Sequence, residues 1–209
     1  MLFFHQKNIQ SMNKFKIIVT GFCFVLLTSF SSDNLPKEFT DLLNRSEMTF
    51  NHPEGYSETP MIENEQMNYD YAIINNAKDF EIRYAIRPLD ERIKNYNEQK
   101  INGTSGNSNI HPNKLYAGTF HAVVFNVSGG KMPKISAFNP EAVKQEFNAD
   151  WGAISMVEVG KEFGQNYKYC FLITIHKDDV GDAYCFYLSN TQEGIMKNLQ
   201  APFHSLRFK

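Results

Sequence analysis

Tyr167-Lys168-Tyr169-Cys170-Phe171-Leu172-Ile173-Thr174-Ile175-His176-Lys177-Asp178-Asp179-Val180-Gly181-Asp182-Ala183-Tyr184-Cys185-Phe186-Tyr187-Leu188-Ser189 reads as two strands around a polar tip. Both arms are rich in aromatic and β-branched residues, and the cluster at 177–182 separates them. With 177–182 as the loop, His176 lies opposite Ala183 and every other facing pair follows. Phe171, Ile173 and Ile175 then share a face with Tyr184, Phe186 and Leu188, an apolar set that demands a core. The other face carries Cys170, Leu172, Thr174, His176, Cys185 and Tyr187 and is only half polar. Two largely apolar faces predict a sheet at least partly covered on both sides.

Outward from this hairpin the pattern stays mixed. Trp151 to Val159 reads as a strand leading into a turn at 160–165, and Thr191 to Leu199 as a helix before a terminal strand, His204 to Phe208. Upstream, Tyr69, Tyr71 and Ile73, then Phe80, Ile82, Tyr84 and Ile86, alternate strictly around a loop at 75–79. Leu35, Phe39, Leu42 and Leu43 fall at helical spacing, as do Leu115, Tyr116, Phe120, Val123, Val124 and Val127, which Gly129-Gly130 terminates. Pro88 opens a helix over about Leu89 to Gln99, and Asn139-Pro140-Glu141 caps another ending near Phe147. Met48–Phe50 is extended, His52–Tyr56 is a turn, and Lys134–Phe138 is a short strand. Residues 102–109 are a low-complexity loop. The fold class expected is α+β: a curved, mainly antiparallel sheet flanked by helices, in a single domain over residues 32–209.

The order of elements over residues 48–209 resembles the PsbP-like family of α/β/α sandwiches, which includes DcrB-type bacterial lipoproteins. Phe50-x-x-Pro53-x-Gly55-Tyr56 looks like that family's opening strand and turn. The two late strands, the helix after them and Ser205-Leu206-Arg207-Phe208 look like its ending. The resemblance implies a curved antiparallel sheet between helices and an assembly or accessory role. It supplies no shared catalytic motif, and no cofactor is expected.

Lys14 and Lys16 precede an uncharged stretch, Ile17 to Phe30, of about 14 residues, short of the ~20 that span a bilayer as a helix. Ser29 and Ser31 fit the −3 and −1 positions of a cleavage site. Residues 1–31 are therefore expected to be a signal peptide, with Met12 as an alternative start and an uncleaved anchor as the alternative fate. Phe22 stands where lipidation of Cys23 requires a small residue. The expected destination is outside the cytoplasm, periplasmic or secreted. Removing the leader takes away Lys7, Lys14 and Lys16 and no acid, moving the formal charge from −2 to −5. A mildly acidic chain is a poor ligand for nucleic acid or anionic lipid. The expected partner is a protein or small molecule of the envelope, with membrane contact only if the leader is retained.

Chemistry-bearing groups are few. In the register above, Cys170 and Cys185 share a face but sit roughly 13 Å apart along the strands, too far for a disulfide. His176 and Cys185 become diagonal neighbours on that face, the one pair close enough to build a thiolate–imidazolium dyad; a register placing them on opposite faces ends that reading. Asp178-Asp179-Val180-Gly181-Asp182 lacks the ligand spacing of a calcium loop. No zinc spacing links the histidines, so no metal is expected. Ser128-Gly129-Gly130-Lys131 lacks the upstream glycine of a phosphate loop. Trp151, the only Trp, is a core or interface anchor, and with Tyr167 and Tyr169 it is a candidate partner surface. These features together predict a non-catalytic binding or accessory protein, acting through a sheet face or the loop at 101–112.

Overall fold

The structure is a computed structural model and describes residues 35–102 and 110–209. The leader with Met12 and Cys23, and most of the 102–109 loop, lie outside the described residues. The helices are α1 (Lys37–Arg45), α2 (Asp90–Ile101), α3 (Tyr116–Val127), α4 (Pro140–Phe147), α5 (Lys161–Gly164) and α6 (Gln192–Asn198). The strands are β1 (Met48–Phe50), β2 (Tyr56–Glu58), β3 (Tyr71–Asn75), β4 (Phe80–Pro88), β5 (Ile135–Ala137), β6 (Trp151–Glu158), β7 (Tyr169–Lys177), β8 (Gly181–Ser189) and β9 (Leu206–Phe208).

A seven-stranded sheet runs in the order β2-β3-β4-β8-β7-β6-β5, with every neighbouring pair antiparallel. The remaining two strands, β1 and β9, pair antiparallel with each other. Helices cover both faces. Phe39 and Leu43 of α1, Val143 and Phe147 of α4 and Ile195 of α6 pack on one face, together with Met48, Leu206 and Phe208 of the small sheet. Phe120, Val123, Val124 and Val127 of α3, with Phe163 of α5, pack on the other. The α+β class and the helix-flanked antiparallel sheet are those expected from the sequence.

Local chemistry explains the boundaries. Asn139 accepts hydrogen bonds from the amides of Glu141 (2.9 Å) and Ala142 (3.2 Å), and Pro140 supplies the first residue of α4. Thr191 caps α6 by accepting from the Gly194 amide at 2.9 Å. Helix α2 buries none of its side chains. The sequence reading stopped at a turn near Tyr56, whereas β2 continues to Glu58 as an edge strand of three mostly exposed residues. So short a polar segment carries too little periodicity to register.

The central hairpin is shifted by one residue from its expected register. Its tip is Asp178–Val180, not 177–182: Lys177 pairs with Gly181, His176 with Asp182 and Ile173 with Cys185. Asp179 takes a left-handed backbone (φ 64°) and the Val180 amide donates to Lys177 O at 3.1 Å, closing a three-residue connection. A one-residue slip turns all of β8 over relative to β7. Phe171, Ile173 and Ile175 therefore share their face with Ala183, Cys185 and Tyr187, not with Tyr184, Phe186 and Leu188. Every residue of β8 is buried, so apolar alternation has nothing with which to fix the parity.

Candidate functional site

Across β4, β8, β7 and β6 the register lines up rows of side chains on the α3 face. The end row is Arg87, Asp182, His176 and Trp151. His176 is 1% exposed and both ring nitrogens meet a carboxylate: Nδ1 lies 2.7 Å from Asp182 Oδ1, and Nε2 lies 3.0 Å from Asp178 Oδ1. Tyr116, the first residue of α3, stacks on the imidazole with 4.2 Å between centroids, and Trp151 leans on Tyr116 at 4.7 Å. Burial disfavours the imidazolium, but the hydrogen bonds to Asp182 and Asp178 and their charges outweigh it, so the His176 pKa lies above the ordinary value.

The tip is held from outside as well. The Asp178 amide donates to Asp150 Oδ2 at 3.0 Å, and Asp150 also takes Lys144 Nζ at 2.9 Å. Asp179 and Asn113 exchange two hydrogen bonds, Asn113 Nδ2 to Asp179 Oδ1 (2.9 Å) and the Asp179 amide to Asn113 Oδ1 (3.0 Å). Asn113 lies in the 3-10 turn Pro112–Lys114, which leads into α3. Both ring nitrogens of His176 are thus spent on structure, which leaves no free base or lone pair for a substrate.

A second polar cluster lies farther along the same face. Arg83 on β4, 1% exposed, donates from Nε to Glu81 Oε1 at 2.6 Å and from Nη1 to the carbonyl of Phe163. Its guanidinium is flanked by the Tyr69 ring at 5.0 Å and the Phe163 ring at 4.9 Å. Nη2 has no hydrogen-bond partner among the described residues; Glu81 balances the charge, and the two ring faces add to that. The sequence reading missed this pair because Glu81 and Arg83 fall on the polar phase of an alternating strand. Opposite charges two residues apart on a sheet expected to be covered on both sides were the available signal.

The expected dyad does not assemble. Cys185 packs among Ile173, Tyr84 and Tyr187 on the α1 face, while His176 and Cys170 face α3. The expectation that the two thiols and His176 share a face fails with the register that produced it. Both cysteines are free and buried. Burial pushes the Cys185 thiol up to about 12 and the Cys170 thiol higher still, the reverse of an activated nucleophile. The aromatic trio does not come together either. Trp151 pairs with His176 at one end of β7, and Tyr169 begins the strand at the other. At ~3.3 Å per residue that is over 20 Å. Tyr169 packs against the α1-face core and Tyr167 against the α3-face core.

Among the described residues, helices pack on both sheet faces, as the two apolar faces of the hairpin predicted, which leaves little of either face for the expected recognition. What remains exposed lies at the margins. Phe125, on the outer side of α3, is 45% exposed and borders a groove with Gly129, Gly130, Gly160, Lys161 and Gln66. The floor is close-packed backbone: a Cβ at Gly160 would stand 3.1 Å from both Cα and N of Gly129. Gln66 donates to the Glu162 carboxylate across it. A second groove lies at the β2–β3 edge between Tyr56, Asn75, Asn76 and Asn198. Of the 101–112 loop, residues 103–109 lie outside the described residues. Ile101 (82% exposed) and Ile110 (57% exposed) flank them. No helix among the described residues is long and apolar enough to cross a membrane.

Neither a protein-family model nor a curated protein matches the chain. Among solved structures it is similar to cyanobacterial PsbP (CyanoP) from Synechocystis sp. PCC 6803, at 11% sequence identity and a TM-score of 0.42. That likeness covers 91% of this chain and 99% of the cyanobacterial one.

Proposed function

We propose that this chain is an exported, non-catalytic binding or accessory protein of the cell envelope, and that it engages a protein partner at the groove beside Phe125. The observation that carries this reading is the groove itself. A large aromatic side chain stands exposed beside the exposed turn Gly129-Gly130, where no neighbouring side chain of the turn screens the ring from a partner. Supporting it, the groups from which catalysis is usually built are engaged elsewhere: His176 by two carboxylates, and both thiols by apolar packing. Lys14, Lys16 and the uncharged run after them support export.

Affinity capture from the native envelope, with mass spectrometry of bait and partners, tests the reading. Phe125 packs outward, so Phe125→Ser should leave unfolding within about 0.5 kcal/mol of wild type. A partner enriched by the wild-type chain and lost with F125S supports the proposal. Capture of the same set by both chains, or of none, overturns the groove. A bait mass reduced by removal of residues 1–31 supports export with cleavage; a full-length mass favours a retained anchor.

A further inference from the structure

We propose that His176 is a pH-sensitive latch on the β7–β8 tip: as an imidazolium it holds Asp182 and Asp178 together, and losing its proton releases Asp178. Geometry carries this. The two carboxylate oxygens stand 2.7 Å and 3.0 Å from opposite ring nitrogens, and a carboxylate only accepts, so both nitrogens must donate. A neutral imidazole has one N–H and would turn a lone pair toward one of the two carboxylates.

The two partners differ in what release would cost. The Asp182 side chain is 6% exposed and needs the imidazole, whereas that of Asp178 is 60% exposed and has water beside it. The remaining proton therefore stays on Nδ1, and the Asp178 bond is the one that opens. Release does not stop at one side chain. Asp178 and Asp179 are consecutive, and Asp179 fastens the Asn113 turn to the tip, so the approach to α3 loosens with it.

Few charged groups reach the ring. Asp182 comes from β8 and Asp178 from the tip; α3 contributes Tyr116, and β6 contributes the uncharged Trp151. Asp150, just before β6, faces the tip amide and is neutralised by Lys144 of α4. Arg87 of β4 stands opposite Asp182 in register but spends its guanidinium on Asp70 at 2.7 Å. Lys177 turns to the Lys209 carbonyl at 3.0 Å. The field at the ring is thus set by two carboxylates. Because the folded pKa is raised, the latch contributes fully below the unfolded value of about 6.5 and is lost as pH rises through the folded one.

Two measurements on the folded chain across pH 5.5 to 10 test this: the ring-nitrogen resonances of His176, and hydrogen exchange of the amides at 177–182. The latch requires both ring nitrogens to be protonated at pH 6.5. It also requires tip exchange to accelerate about tenfold beyond its intrinsic pH dependence as His176 titrates, the equivalent of one lost charge-assisted hydrogen bond. His176→Gln risks the fold, so Asp178→Asn supplies the control: it should lower the His176 pKa, flatten the pH dependence and leave the far-ultraviolet dichroism unchanged. A neutral ring at pH 6.5, tip exchange that ignores the His176 titration, or an unchanged pKa in D178N each overturns the latch.

Discussion

One sheet presents two faces of different construction. Toward α1, the rows across β4, β8 and β7 are Ile86-Ala183-Ile175, Tyr84-Cys185-Ile173 and Ile82-Tyr187-Phe171. Toward α3 they are Arg87-Asp182-His176, Ala85-Tyr184-Thr174, Arg83-Phe186-Leu172 and Glu81-Leu188-Cys170. The first face is an aromatic and aliphatic core whose side-chain polar contacts are made by hydroxyls, such as Tyr84 Oη to Ser205 Oγ at 2.9 Å. The second buries an arginine, a histidine and two carboxylates, each satisfied by a charge partner. Equal burial therefore conceals unequal risk. Removing a methyl group from the dry face leaves a void, whereas removing one partner from the other leaves an unpaired buried charge.

That contrast is broken most directly at Arg83. Arg83→Ala leaves Glu81 buried without its cation and should cost about 3–5 kcal/mol in urea unfolding. The double variant Glu81→Gln/Arg83→Met should cost clearly less, because no charge is stranded. Equal losses would mean that the α3 face is held by packing like its opposite. At the margin of that face, Gly160→Ala drives a methyl group into the Gly129 backbone and should lose about 1–3 kcal/mol; no change in melting would mean the two loops are not in close contact. On the dry face Tyr84→Phe removes one hydrogen bond and should cost only about 1 kcal/mol. The smallest effect is expected from the thiols. With Cys185 pushed up to about 12 and Cys170 beyond it by burial, neither should react with iodoacetamide at pH 8 before global unfolding, and both should then react together.

The elements were legible where one face repeats or a cap is local. Phe80, Ile82, Tyr84 and Ile86 declared β4, Phe120, Val123, Val124 and Val127 declared α3, and Asn139-Pro140 and Gly129-Gly130 marked their boundaries. The hairpin parity was not legible, since Cys170 to Ile175 and Ala183 to Leu188 are apolar on both phases. Whether the tip holds three residues or six is decided by the left-handed Asp179 and by the partners of Asp178, and those partners come from distant elements. The same slip created and then removed the His176–Cys185 pair. It also hid the His176–Asp182 contact, which a three-residue tip would have revealed. The burial of Glu81 and Arg83 was not legible because the element that covers them, α5, is only four residues long.

Everything said of the two faces depends on the β7–β8 register. Cross-strand nuclear Overhauser effects between backbone protons of the two strands test it in one experiment. The account requires Ile173 opposite Cys185, Phe171 opposite Tyr187 and His176 opposite Asp182. Contacts of Ile173 with Phe186 and of His176 with Ala183 would contradict it, return His176 and Cys185 to one face and dissolve the latch.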